Sequence, residues 1–116
     1  MPAGISIHVV DVSRGVVAAG MRVDVYACEP RALLASGSIS ATGVLDMAAL
    51  ATMMKPGFYE AVFHAADYYR SAAVDVPDVP FLDVVTYRFG IARSVQHYHL
   101  PMKITPWGYS CFRGGA

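Results

Sequence analysis

The chain has 116 residues, 55% of them hydrophobic and only 16% charged, with 9 basic and 9 acidic side chains and a formal net charge of +0. That length reads as one domain over residues 1–116, and so much apolar material excludes an intrinsically disordered segment. Neutrality excludes a nucleic-acid binder, which needs a basic face for phosphates, and a polybasic protein of membrane surfaces.

Alternation of apolar and polar residues dominates the chain and predicts strands. Ile5 to Val12 is the first, with Ile5, Ile7 and Val9 on one face and Ser6 and His8 on the other. Ser13-Arg14-Gly15 turns the chain into a second strand, Met21 to Ala27, which Glu29-Pro30 breaks. Leu33 to Ile39 is a weaker strand, and Thr42-Gly43 is a tight turn. Leu45 to Met54 suits a short helix and a short strand plus loop equally, because its Ala, Leu and Met favour helix but it has no polar face. After the turn Lys55-Pro56-Gly57 come a strand, Phe58 to His64, and a short helix, Ala65 to Ala72. Pro77 and Pro80 bracket a loop. Val84 to Ile91 is a strand with Val85, Tyr87, Phe89 and Ile91 on one face. His97 to Ile104 follows, with Tyr98, Leu100, Met102 and Ile104 opposite His97, His99 and Lys103. Pro106-Trp107-Gly108 leads into a last strand, Tyr109 to Arg113. About eight strands and one short helix predict an all-β sandwich.

No apolar run reaches the length of a membrane span. The opening stretch carries neither the basic nor the apolar region of a signal peptide, so the expected compartment is the cytoplasm. Cys28 and Cys111 then read as reduced strand thiols. An oligomer that hides apolar surface would explain how so apolar a chain stays soluble.

The histidines carry the chemical signal. His97 and His99 are two apart on a strand and point the same way. With His8 they suit a three-histidine metal site of the zinc type. They suit equally a pair of imidazoles acting as general acid and base on a small substrate. His64 reads as a hydrogen-bonded surface residue, and His97 as a support for its neighbour.

Three motifs go further. The run His97-Tyr98-His99-Leu100-Pro101, followed by Thr105-Pro106-Trp107-Gly108-Tyr109-Ser110, closely resembles the end of the 5-hydroxyisourate hydrolases, the transthyretin-like enzymes of urate breakdown. Phe81-Leu82-Asp83 and Arg88-Phe89-Gly90-Ile91 resemble the stretch before it. His8-Val9-Val10-Asp11, Gly15 and Ala18-Ala19-Gly20-Met21-Arg22-Val23 resemble the family's opening. The likeness implies a transthyretin-like two-sheet sandwich and a homotetramer with its sites in a channel between dimers. It implies hydrolysis of the 5-hydroxyisourate ring with no cofactor and no metal.

The resemblance places the family's two histidines at His8 and His99, with Arg113 beside them as a third catalytic residue. It places substrate-binding positions at Val44, Phe112, Gly114 and Gly115, with His97 alongside. Three of these depart from the pattern. Val44 stands where the family has arginine, Phe112 where it has tyrosine, and Gly115 where it has serine. A less polar site suits a more apolar substrate such as an N-methylated 5-hydroxyisourate. Other strained cyclic amides or imides fit the same logic. Loss of three polar groups also moves the chain toward a non-catalytic binder of small molecules, such as the carrier that shares this fold.

Overall fold

The computed structural model describes residues 3–115. Strand β1 (Gly4–Asp11) buries Ile5, Ile7 and Val9 completely, as their alternation requires. It pairs in parallel with β8 (His97–Thr105), which buries Tyr98, Leu100, Met102 and Ile104 on the same side. Each such aliphatic side chain taken from water contributes about 1.5–3 kcal/mol. A parallel pair cannot be joined by a tight turn. Most of the chain between β1 and β8 instead builds the opposing layer.

Among the described residues, nine strands make two sheets. One sheet runs β2 (Val16–Val17), β1, β8, β9 (Gly108–Cys111), with β5 (Val44–Met47) also on β1. The other runs β4 (Arg31–Ser38), β3 (Arg22–Cys28), β6 (Gly57–Phe63), β7 (Val85–Ile91). Val23, Val25, Ala61, Phe63 and Val85 face the first sheet's apolar side across the core. This is an all-β sandwich, as expected.

The single α-helix among the described residues, α1 (Ala65–Ser71), follows β6 and has no β-branched residue. Asp67 in its first turn and Arg70 in its last suit the helix dipole. Ala73, in left-handed backbone at φ 59°, ends it. Tyr68 and Tyr69 each donate a hydroxyl to Asp11 at 3.0 Å, which ties the helix to the end of β1. Asp11 is completely buried and also accepts from the Ser13 hydroxyl at 2.6 Å.

Three local readings differ. The two-residue β2 was not expected, because a ladder so short leaves no alternation to detect. Residues 45–54 split into β5 and a 3-10 turn, Ala48–Thr52. Asp46 Oδ1 accepts from the Ala48 amide at 2.9 Å, which starts the turn, while the edge of β1 holds the strand. The last strand ends at Cys111 rather than Arg113, and pairing resumes only at the bridge between His99 and Gly114.

Candidate functional site

The face of the first sheet that points away from the core carries the histidines. Two rows cross it. In one, Asp46, Ser6, His99 and Gly114 lie side by side on β5, β1, β8 and the C-terminal segment. In the other, Val44, His8 and Pro101 do the same. The Phe112 amide donates to the Pro101 carbonyl at 3.4 Å and extends that row. Side chains directly opposite on neighbouring strands share a face. The topology therefore unites a histidine from the start of the chain with one near its end.

His99 is held on both flanks. Its Nδ1 lies 2.7 Å from the Ser6 hydroxyl. On the other side the Gly114 amide donates to the His99 carbonyl at 2.8 Å. A Cβ on Gly114 would lie 2.9 Å from His99 Cδ2 and 3.1 Å from Pro101 Cγ, so only glycine lets the ring lie there undisturbed. With Nδ1 toward β1 and Cδ2 toward Gly114, the Cε1–Nε2 edge of the ring points off the sheet. His8 leans over the turn before β5. Gly43 has φ 87°, and a Cβ there would come within 2.9 Å of His8 Nε2. Glycine is thus required at 43 both by backbone conformation and by space.

His97 is buried and turns its Nε2 to the same Ser6 hydroxyl at 2.7 Å. Two of the three ring systems therefore converge on Ser6 rather than on a common metal point. Among the described residues no group of three or more His, Cys, Asp and Glu is placed to hold a metal ion. Burial, followed by the charges of His8 and His97, holds the His99 imidazole below its ordinary pKa. A lowered pKa favours the neutral ring, the form a proton acceptor needs.

The remaining expected positions fall out as follows. Val44 and Phe112 are 38% and 50% exposed and give the rows an apolar border. Gly115 is exposed, with open space where a side chain would go. Within one chain Arg113 lies on the other side of this segment from the histidines. Its guanidinium lies 4.0 Å over the ring of Tyr98, a core-side residue. It donates to Gln96 Oε1 at 3.3 Å and to the His97 carbonyl at 3.2 Å. The reason is strand alternation: Gly114 neighbours His99, so the residue before it belongs to the opposite side.

Ser6 was not singled out from the sequence. One serine among alternating residues carries no signal until β1 and β8 are known to pair. His64 belongs to the other sheet, where Asp24 Oδ2 lies 2.8 Å from its Nε2. Asp24 is buried, which would raise its pKa, but hydrogen bonds from Ser36, His64 and Arg22 outweigh burial and hold it low. Cys28 and Cys111 are free thiols. Burial pushes the Cys111 thiol up to about 11, so it is no nucleophile at neutral pH.

One surface hollow of about 400 Å³ is lined by residues such as Cys28, Pro30, Met53 and Phe58 and includes none of the histidines. No helix among the described residues is long and apolar enough to cross a membrane.

Residues 5–114 match the model of the HIUase/Transthyretin family. The chain is 42% identical over 114 residues to 5-hydroxyisourate hydrolase 2 of Rhizobium meliloti (strain 1021), covering 92% of each chain. Its fold superposes on (S)-allantoin synthase with a TM-score of 0.84 and 28% identity, covering 98% of this chain and 44% of that longer one. Sea bream transthyretin in complex with thyroxine has the same fold, with a TM-score of 0.84 at 20% identity over 97% of this chain and 96% of that one.

Proposed function

The chain belongs to the HIUase/transthyretin family, and from that premise we propose that it hydrolyses the ring amide of 5-hydroxyisourate or of a more apolar, N-methylated relative, without a cofactor. One observation carries the reading. His8 and His99 share one sheet face, and His99 has its Nε2 edge turned off the sheet.

In this reading His99 takes a proton from the attacking water as the oxygen bonds to the ring carbonyl carbon. The ring C–N bond then breaks. The proton held on His99 is available to the leaving nitrogen, and His8 is the nearby donor for it and for the developing oxyanion. His97 supports the site from below, through Ser6. With Arg113 turned to Tyr98, its part is to fasten the segment that carries Gly114 and Gly115. Val44 and Phe112 border His8 with apolar surface, which favours a methylated ring edge over one that presents an N–H.

The site face is open in one chain, and its apolar border is exposed. We therefore place the site in a homotetramer, where a second copy closes it at a dimer–dimer interface and excludes water. A cytoplasmic location fits two free thiols.

The test is the hydrolysis rate of His8→Ala and His99→Ala, each checked for assembly by sedimentation. A loss of about 10²–10⁴-fold in each is expected, as for a general acid or base. Full activity in His99→Ala would remove the mechanism. A second reading, a non-catalytic binder, rests on the apolar Val44 and Phe112 where polar residues were expected. Tight binding of a hydrophobic ligand without turnover, unchanged by His8→Ala, would favour it.

A further inference from the structure

Ser6 lies at the centre of the site face and does something that neither histidine does alone. Its hydroxyl oxygen is 2.7 Å from His97 Nε2 and 2.7 Å from His99 Nδ1. Both distances are those of good hydrogen bonds. A hydroxyl has one proton to give. At most one ring can accept from Ser6, and when Ser6 spends its proton on one ring the other ring must donate to its lone pair, so the tautomers of the two rings are linked. If Ser6 donated to His99, that ring would carry its proton on Nε2, and the edge off the sheet would be a donor. If Ser6 donates to His97, then His99 donates through Nδ1, and its Nε2 is an open lone pair.

We propose that Ser6 is a positioning residue that donates to His97 Nε2 and accepts from His99 Nδ1–H, so that His99 presents an unprotonated Nε2 to the attacking water. This deepens the hydrolase reading and rests on it for the role of His99. The arrangement stands on geometry. Ser6 is buried between the two rings, in register with His99, and fixed on a strand whose other face is in the core. Gly114, having no side chain, leaves the room on the far flank that this ring position needs.

The linked row also balances the proton. When His99 Nε2 takes a proton from water, the ring becomes cationic with both nitrogens protonated. Its Nδ1 proton can pass to Ser6 Oγ as the Ser6 proton passes to His97 Nε2. The positive charge is then on His97, and reversing both transfers returns a proton to His99 for the leaving nitrogen. No oxidant, metal or outside base is needed. His97, which is buried, acquires a part in this row.

The experiment compares the wild type with Ser6→Ala and Ser6→Thr. Two-bond ¹H–¹⁵N correlation spectra on ¹⁵N-histidine-labelled protein read the tautomers, with His99 assigned by its loss in His99→Ala. In the wild type, His99 is expected as the Nδ1–H form. In Ser6→Ala it is expected to move toward the Nε2–H form that free imidazole prefers. The kcat should fall roughly 10- to 100-fold, less than for loss of the base itself, with KM within about twofold. Ser6→Thr, which keeps the hydroxyl, should restore both the tautomer and most of kcat. An Nε2–H form in the wild type would overturn the proposal, and so would Ser6→Ala with unchanged tautomer and unchanged kcat. The spectra do not depend on turnover. A chain that hydrolysed nothing would overturn the hydrolase reading, while the spectra would still decide the role of Ser6.

Discussion

His8 and Val44 stand directly opposite each other on β1 and β5, so the side chain at position 44 borders one of the two site histidines. Cβ atoms in such a pair lie about 4.5–5.5 Å apart. An arginine at 44 would bring a forked donor to that border and crowd out a methyl group. The double change Val44→Arg with Gly115→Ser should raise the rate on unmethylated 5-hydroxyisourate by about tenfold or more. It should lower the rate on the N-methylated ring. Side-by-side kcat/KM values check this, and an unchanged ratio would count against a site tuned to apolar substrates.

Gly114→Ala should disturb His99 without disturbing the fold. The added Cβ would sit 2.9 Å from His99 Cδ2 and 3.1 Å from Pro101 Cγ, against a ring edge already fixed by Ser6 on its far flank. The ring must tilt, and a misplaced proton acceptor costs about tenfold or more in kcat. The melting temperature should change little, because the segment is held by one bridge near the chain end. Kinetics and a thermal melt on one preparation decide between these effects. A variant as fast as the parent would contradict the placement of the ring.

The pH dependence has a definite sign. A general base works only when neutral, so activity is lost as the base protonates on the acid side. Burial, then His8 on β1 and His97 on β8, hold His99 below the ordinary histidine value, while Asp46 on β5 lies beyond Ser6 in the same row. The acid limb of kcat/KM should therefore lie below pH ~6.5. The same lowered value means the unfolded chain binds the proton more readily, so this group removes stability as pH falls below ~6.5. A limb at or above that pH would argue for another base.

The buried Asp11 is a structural anchor, and its removal should spare the chemistry. Tyr68, Tyr69 and Ser13 all donate to it, and burial, aided by the nearby Asp11 charge, pushes the Tyr69 phenol far above its usual pKa. Tyr69→Phe should cost about 1–3 kcal/mol, the range for a lost partner of a buried group. Denaturant unfolding should show a lower midpoint, with kcat/KM near that of the parent.

Much of this was legible in the sequence, and the rest was hidden for physical reasons. Ile5, Ile7 and Val9, like Tyr98 through Ile104, alternate so cleanly that strand and core face follow from period two alone. His8 and His99 were found through motif likeness, and the parallel pairing of β1 with β8 puts them on one face. That pairing links residues more than 90 positions apart, and no local pattern encodes it. Ser6 was missed for that reason. The side of the segment that Arg113 takes within one chain was not legible, because a motif records neighbours in sequence, whereas strand alternation at Gly114 decides it. Residues 45–54 were ambiguous because their composition suits a helix, and pairing with the edge of β1 settled them as strand and turn.

The most direct measurement is ultraviolet turnover of freshly generated 5-hydroxyisourate and of its trimethyl analogue, side by side, with purified protein and with His99→Ala. The expected result is decay of the methylated ring well above its spontaneous rate, a smaller acceleration of the unmethylated one, and return to the spontaneous rate in His99→Ala. Neither substrate decaying faster than it does alone would contradict the account.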